Sequence, residues 1–471
     1  MTTEALAGPL TEPLLVVGES LDVAQRSTDP LEFDSYTPPA SEDESVRTSF
    51  VTLAGTEAIW IDCDFSRQGG TMGAVAGSRI VRAFDTATQL GLPVVETVSS
   101  GGARLQEGMI SLVQMARAAS AVQRHRRAGL ASAAYLQSPS TGGVYASWAS
   151  LADLRAAEPE ATIGFGGPRV VAQVTGSFPP ADSHTAESAY AHGIVDAVVP
   201  LDDRWSWLAD AIGATTSGTL GLPAGRAEAP LATPVPADAY ELLVRCRDPR
   251  RPGGLEWAAW ITDSWTELRG SDLGMRAGLA TIGGRPVVVV AFDRHIGHLP
   301  GPGAFRLAQR AVDLAGRRGL PLVTFVDTPG ADPSPPSEAD GIAAEIARTL
   351  LAMAGLPTSS VCVCVGEGGS GGAVALAHTD RLVMLEGSVF SVIGPEAGAA
   401  VIYRDAARAP ELTRSFGMVP EALMRLGVAD RVAAEDVAEV RRAIVASLAG
   451  AEPGDRDIRV DDLTTRSLTT S

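Results

Sequence analysis

The spacing of apolar positions predicts a helix over Ala74–Leu90, closed by Gly91, and then a short apolar strand over 93–98 that runs into Ser100-Gly101-Gly102-Ala103. Beyond that turn, Leu105, Met109, Leu112, Val113 and Ala116 fall at i, i+4, i+7, i+8 and i+11, the spacing of an amphipathic helix with one apolar face. A second apolar strand over 132–136 leads to Thr141-Gly142-Gly143 and a third helix from about Val144. The same order of patterns returns in the second half of the chain. There a helix over 304–318, a strand over 321–326, the turn Thr328-Pro329-Gly330-Ala331, a strand over 361–365, the turn Ser370-Gly371-Gly372 and a helix from about Ala373 follow one another.

The two series keep one register. Pro93 and Pro321, Gly102 and Gly330, and Gly143 and Gly371 are each 228 positions apart, and Gly167-Pro168 returns as Gly394-Pro395 after 227. Three anchors at one offset and a fourth one residue short of it indicate an internal duplication, each copy a repeated β-turn-α unit, and the fold class expected is α/β with two duplicated domains. Composition sets the boundaries. Residues 1–45, rich in Pro, Ser and acids, read as a flexible lead-in; 46–214 form a first body; 215–236, rich in Gly, Ala and Pro, read as a linker; 237–451 form a second body; 452–471 read as a polar tail.

Charge and composition narrow the chemistry. A formal charge of −18 over 471 residues disfavours nucleic-acid binding, which needs a basic stripe to displace phosphate counterions. No apolar run approaches the roughly 20 residues of a membrane span, and MTTEALAGPLTEPLL lacks the basic start of a secretory signal, so a cytoplasmic location is expected. All 38 cationic residues are arginine; without lysine the chain cannot carry biotin on itself, form a Schiff base or supply a Walker lysine. Cys63, Cys246, Cys362 and Cys364 form no CxxC pair, the six histidines no HExxH, and no metal site is expected. His295-Ile-Gly-His298 matches a synthetase signature by coincidence, since its lysine partner motif is impossible here.

Glycine turns that carry a strand into a helix leave backbone N–H groups pointing outward, with the positive end of a helix dipole behind them. Two such turns from neighbouring strands can aim donors at one developing oxyanion. Gly102 and Ala103 with Gly142 and Gly143 form one candidate pair, and Gly330 and Ala331 with Gly371, Gly372 and Ala373 its copy. Glu107 and Glu367 flank these turns and read more readily as capping partners than as general bases.

The motifs resemble the carboxyltransferase component of acetyl-CoA carboxylase, in the bacterial form with β and α subunits. The first half is similar to the β subunit through GGTMGAVAGSRIVRA (69–83), SSGGARLQEGMISLVQMA (99–116), TGGVYASWASLADL (141–154) and EPEATIGFGGPRVV (158–171). The second half resembles the α subunit through PGAFRLAQRAVDLA (302–315), TFVDTPGADP (324–333), GEGGSGGAVALA (366–377) and SVIGPEAGAAVIYRD (391–405). The resemblance implies two duplicated crotonase-like (ββα-spiral) domains fused in one chain, with the acyl-CoA on the first and biotin, presented by a separate carrier protein and loaded by a biotin carboxylase, on the second. It also implies a homodimer or larger homo-oligomer, because in such enzymes the site forms between domains of different protomers. The thioester oxygen would rest on amides around Gly142 and Gly143 with Gly102 and Ala103 beside them. The biotin ureido oxygen would rest on Gly371, Gly372 and Ala373 with Gly330 and Ala331 nearby. Arg104 and Arg169 are candidates for CoA phosphate contacts.

Two features depart from the family pattern: no four-cysteine zinc ribbon precedes the first domain, and only a short loop separates Val290 from Phe305. Two other functions use the same residues. One is a biotin-independent decarboxylase of malonyl thioesters, whose enolate needs the same oxyanion donors, and the other is a non-catalytic paralogue within a carboxylase complex.

Overall fold

Strands such as those over 94–100 and 285–292 form where β-branched residues run together, and the computed structural model, which describes residues 13–29, 31–34 and 36–468, gathers the strands into two sheets of eight each. The first contains β1 (Leu15–Ser20), β2 (Val46–Leu53), β3 (Thr56–Cys63), β4 (Val94–Ser100), β5 (Ser132–Thr141), β6 (Leu154–Ala157), β7 (Ile163–Gly164) and β8 (Ala197–Val198). Its order is β1-β2-β3-β4-β5-β6-β8, with β7 beside β5. β1 to β3 pair antiparallel and the remainder parallel. Helices at Ala74–Leu90 and Gly108–Arg127 provide the crossovers that parallel pairing requires.

The second sheet repeats this plan. It holds β9 (Ser264–Leu268), β10 (Met275–Ile282), β11 (Arg285–Phe292), β12 (Leu322–Thr328), β13 (Ser360–Gly369), β14 (Arg381–Leu385), β15 (Val389–Ser391) and β16 (Arg431–Ala433). The order β9-β10-β11-β12-β13-β14-β16, with β15 beside β13, matches the first sheet strand for strand. The register matches as well: Val94 faces Ser132 as Leu322 faces Ser360, and Ser100 faces Ser140 as Thr328 faces Gly368. The chain divides between Thr215 and Thr216 into two compact units. In the first, Val94, Val98, Ala134 and Leu136 on the sheet pack against Ile80, Ala83, Phe84 and Ala87 of the helix. In the second, Val289, Phe325, Val363 and Leu385 pack against Leu255, Trp257 and Ile444.

Three expectations change. The lead-in is not loose over its described part: β1 extends the first sheet, and Asp22 pairs with the buried Arg79 at 3.1 Å. Residues 1–12 lie outside the described residues. The 215–236 stretch is irregular but held, since Leu220 is buried and Arg226 pairs with Glu256 (2.9 Å) and Asp293 (2.7 Å). The tail folds into a helix at Asp455–Arg466 whose Arg456 is buried on Asp380 at 3.1 Å.

The amphipathic helix exists, but its apolar stripe faces outward. Gly108–Arg127 buries Ser111, Gln114, Ala118, Ala121 and Val122, while Leu105 is 82% and Met109 66% exposed. Close approach to the neighbouring helix favours small residues there, with Gly77 lying against the Gln114 side chain. All four cysteines are buried and unpaired, and burial pushes the Cys362 thiol up to about 12. Among the described residues no helix is long and apolar enough to cross a membrane.

Candidate active site

β4 and β5 end side by side, so the turns that follow them meet. Gly102 has φ +109° and Gly142 φ +63°, backbone conformations that favour glycine. A methyl group on Gly102 would come within 2.9 Å of both Gly142 Cα and Gly143 N, and one on Gly143 within 3.4 Å of Ala103 N. The two turns thus touch backbone to backbone, as the glycine pattern predicts.

Which amides remain free is more selective than the sequence indicates. Gly102 N donates to Ser100 Oγ (2.9 Å), and Gly142 N donates to the Phe165 carbonyl (2.9 Å). These two glycines serve shape and spend their own N–H groups inside the turn. Ala103 differs. Met72 N donates to Gly102 O (2.8 Å) and Arg104 N to Met72 O (3.0 Å), a parallel bridge that engages the groups on either side of Ala103. In extended backbone the intervening N–H of Ala103 therefore points the opposite way. Gly143 is the second residue of the helical turn Gly142–Tyr145, where N–H groups have no carbonyl four residues back. Ala103 and Gly143 are the donors left to converge.

The second unit repeats the device with changes. Thr328 takes the place of Ser100: its Oγ1 accepts from Gly330 N (3.2 Å) and donates to Gly330 O (2.5 Å). Pro300 stands where Met72 stands, 228 residues on, and keeps only the bond its carbonyl can accept, from Asp332 N at 3.0 Å. Ser370 adopts φ +58° at the position of Gly142. Ala331 is flanked by only one of the two bonds that flank Ala103, and a methyl group on Gly372 would sit 2.7 Å from Ala331 N. Gly371 and Gly372 occupy the second and third positions of the helix Ser370–Ala377, inside the span of unbonded N–H groups. Ala373 is fourth, the first position inside the helical ladder, and is wholly buried; it is a packing residue and not a donor.

A cavity of about 470 Å³ opens beside this second turn, lined by Thr328 and Pro329 with Arg247, Arg294, Asp327 and Glu367. Arg247 grips Glu367 through two bonds (2.7 and 2.8 Å) and Glu396 through a third (2.8 Å). The Glu367 bonds, opposed by partial burial, hold the Arg247 guanidinium firmly protonated. Burial raises Asp327 above the usual carboxylate range against the pull of Arg294 and Arg251.

The arginine assignments divide. Arg104 is 1% exposed and fully engaged with Glu44, Glu107 (3.2 Å), Ser45 (3.1 Å) and the Thr71 carbonyl (2.9 Å), so it is not available to a phosphate. Burial would raise the Glu44 pKa, but hydrogen bonds and charge from Arg104 hold it below the usual range. Arg169 is exposed at the start of the helix Pro168–Thr175. Glu107 acts as a cap, accepting from Ala74 N at 2.7 Å, and Glu367 as an ion-pair partner. Sequence reasoning missed Ser100 and Thr328, although two hydroxyl residues at the shared offset are a legible signal. It also missed Glu44 and Tyr36, for which no local pattern exists.

Known proteins resemble the chain over most of its length. Residues 237–450 match a family model described as acetyl co-enzyme A carboxylase carboxyltransferase-like. The chain is 41% identical over 420 residues to the acetyl-coenzyme A carboxylase carboxyl transferase subunits beta/alpha of Salinispora tropica, covering 83% of this chain and 73% of that one. It is 36% identical over 400 residues to a probable biotin-dependent acyl-coenzyme A carboxylase beta3 subunit of Mycobacterium bovis, covering 83% and 80%. Among solved structures, transcarboxylase 12S with methylmalonyl-coenzyme A bound superposes with a TM-score of 0.74 at 24% identity, covering 88% of this chain and 83% of that one, a likeness of fold.

Proposed function

The chain belongs to the acetyl-coenzyme A carboxylase carboxyltransferase family, and from that premise we propose that it transfers a carboxyl group from carboxybiotin on a separate carrier protein to an acyl-CoA such as acetyl-CoA, giving malonyl-CoA. The observation that carries the reading is the repeated group of unspent amides, Ala103 with Gly143 in the first unit and Ala331 with Gly371 and Gly372 in the second. Removing α-hydrogen from a thioester puts negative charge on its oxygen, and two fixed N–H donors stabilise that charge more than the neutral thioester; one such donor is worth about 3 kcal/mol. We assign this task to Ala103 and Gly143.

The second turn fits the ureido group of biotin. Ala331, Gly371 and Gly372 offer donors to its carbonyl, and the adjoining cavity of about 470 Å³ falls within the roughly 300–1,000 Å³ of small-molecule sites. When bound, biotin supplies the carboxyl group and the base, which accords with the engagement of Glu107 and Glu367 elsewhere. A carrier protein and a biotin carboxylase are the partners this implies, and the cytoplasm the place. Arg169 remains the candidate for the CoA phosphates.

Apolar side chains stand exposed near both turns at matching positions: Phe165 (75%) and Val174 (79%) in the first unit, Val392 (75%) and Val401 (70%) in the second. Patches of this kind mark association surfaces, and we assign them to a homodimer or larger homo-oligomer. Purified protein incubated with free biotin and malonyl-CoA should exchange the carboxyl group. Release of CO2 from malonyl-CoA at the same rate without biotin would replace transfer by decarboxylation.

A further inference from the structure

Beneath the first turn lies a buried ionic cluster whose size the fold alone does not require. Arg104 follows Ala103 directly, and its side chain is 1% exposed between Glu44 at 2% and Glu107 at 1%. Its Nη1 donates to Glu44 Oε2 (3.1 Å) and Glu107 Oε1 (3.2 Å), and its Nη2 to Glu44 Oε1, Ser45 Oγ (3.1 Å) and the Thr71 carbonyl (2.9 Å). Glu107 also accepts from Tyr36 Oη (3.0 Å) and from Ala74 N (2.7 Å), the first amide of the helix Ala74–Leu90. Ser111 Oγ closes the ring, bonding the carbonyls of Met72 (2.8 Å) and Arg104 (2.7 Å). Arg104 and Met72 belong to the bridge that aims Ala103, Thr71 adjoins it, and Ala74 opens the helix beside it.

The duplicate provides an internal comparison. At the same offset of 228, Asp332 stands for Arg104, Pro335 for Glu107 and Ala339 for Ser111. The Asp332 side chain accepts from Ser334 N and Oγ, at 3.0 and 2.7 Å. The same turn therefore forms without the cluster, so the cluster is not a condition of the fold. Nor is a buried ion triad an efficient source of stability, because desolvation offsets most of its attraction. What it provides is fixed geometry.

We propose that Glu44, Arg104 and Glu107, with Tyr36, are positioning residues that hold the Ala103 amide at the angle and distance at which it meets the thioester oxygen. The proposal rests on the assignment of the first turn to the acyl-CoA. Two of its members, Tyr36 and Glu44, come from the segment ahead of the first domain, which gives that segment a place in the acyl site. The turn assigned to the thioester carries the arginine cluster, whereas the copy assigned to biotin has no arginine at that position and is held by Asp272, which accepts from Gly301 N (2.7 Å) beside Pro300. A donor displaced by about 1 Å can cost on the order of a hundredfold in rate.

The test uses the full chain with malonyl-CoA and free biotin. Glu44→Gln should lower kcat about tenfold to a hundredfold, with the KM for each substrate within about twofold of wild type. Tyr36→Phe, which removes one hydroxyl and keeps the packing, should lower kcat by a smaller factor with the same split. Amide hydrogen exchange should rise in the peptide spanning 101–105 and stay unchanged over 328–332. Variants with wild-type kcat overturn the proposal alone. So does a loss of kcat accompanied by general hydrogen-exchange loosening and a raised KM for malonyl-CoA, which marks a merely structural role. Wild-type protein that exchanges no carboxyl group with any thioester overturns the functional assignment and the proposal with it.

Discussion

Gly102→Ala tests the meeting of the two turns most directly. The residue has φ +109°, where a side chain costs about 1–3 kcal/mol in backbone strain. The added methyl would lie 2.9 Å from Gly142 Cα and from Gly143 N, against a comfortable separation of about 3.5 Å, so the turns must part by about 0.6 Å. Both contacts are backbone, so no flexible side chain can yield in their place. Parting the donors by more than half an ångström should lower kcat about a hundredfold, the scale seen when one oxyanion donor is lost, while the KM for malonyl-CoA changes little. Gly91→Ala is the matched control: Gly91 has φ +71° at the end of the helix Ala74–Leu90, and an added methyl meets nothing within 4 Å. Both variants should lower the thermal midpoint by a few degrees, and only Gly102→Ala should lose carboxyl exchange. Equal exchange rates in the two variants would refute the joint donor site.

Two further outcomes follow from the same geometry. Gly371→Ala adds a methyl at an exposed position where the nearest atom, Ile346 Cγ2, is 3.9 Å away, so the thermal midpoint should hold while the KM for free biotin rises severalfold; an unchanged KM would remove Gly371 from the biotin site. Glu96 lies wholly buried in β4 with neither carboxylate oxygen hydrogen-bonded, and burial, with Asp153 adding to it, raises its pKa well above the ordinary value of 4.5. A raised folded pKa contributes stability that is complete below the unfolded value and lost as pH rises toward the folded one, about 1.4 kcal/mol for each tenfold difference in proton affinity between the two states. Glu96→Gln should therefore be more stable than wild type at pH 7 to 8, with the gain shrinking toward pH 4; denaturant titrations across that range check it, and a pH-independent difference would contradict it.

Most of the architecture is legible because it is written twice. Pro93 and Pro321 precede matching strands, Gly102 and Gly330 follow them, and the ladders confirm the offset residue by residue. What resists reading has identifiable causes. A glycine pattern shows where backbones approach but not where each N–H points, so it counts Gly102 and Gly142 as donors although Ser100 and the Phe165 carbonyl take their hydrogens. Helical spacing identifies the face formed by Leu105, Met109 and Leu112 but not its direction, because small residues opposite allow a closer helix contact than leucines do. Arg104 reads as a phosphate ligand until Glu44 is beside it, and the 60 positions between them carry no periodicity that would bring them together.

The two copies diverge where their chemistry must. Met72, with an N–H to give, becomes Pro300, which has none, and Thr328 replaces the missing bond by donating its own hydroxyl to Gly330. The first turn, which we assign to the thioester, is thereby tied on both sides and braced from below by Arg104. Its copy is tied on one side and opens onto a cavity between Arg247, Arg294 and Thr328. A substrate whose reacting oxygen gains charge during the reaction benefits from donors that cannot move, since reorganisation at that moment would add to the barrier. A group that arrives on another protein and leaves each cycle, and whose ureido oxygen also gains charge when the carboxyl group departs, needs access as well as donors. Duplication supplied one device twice, and on the assignment proposed above the differences at 72 and 300, 104 and 332, and 142 and 370 fit each copy to a different partner.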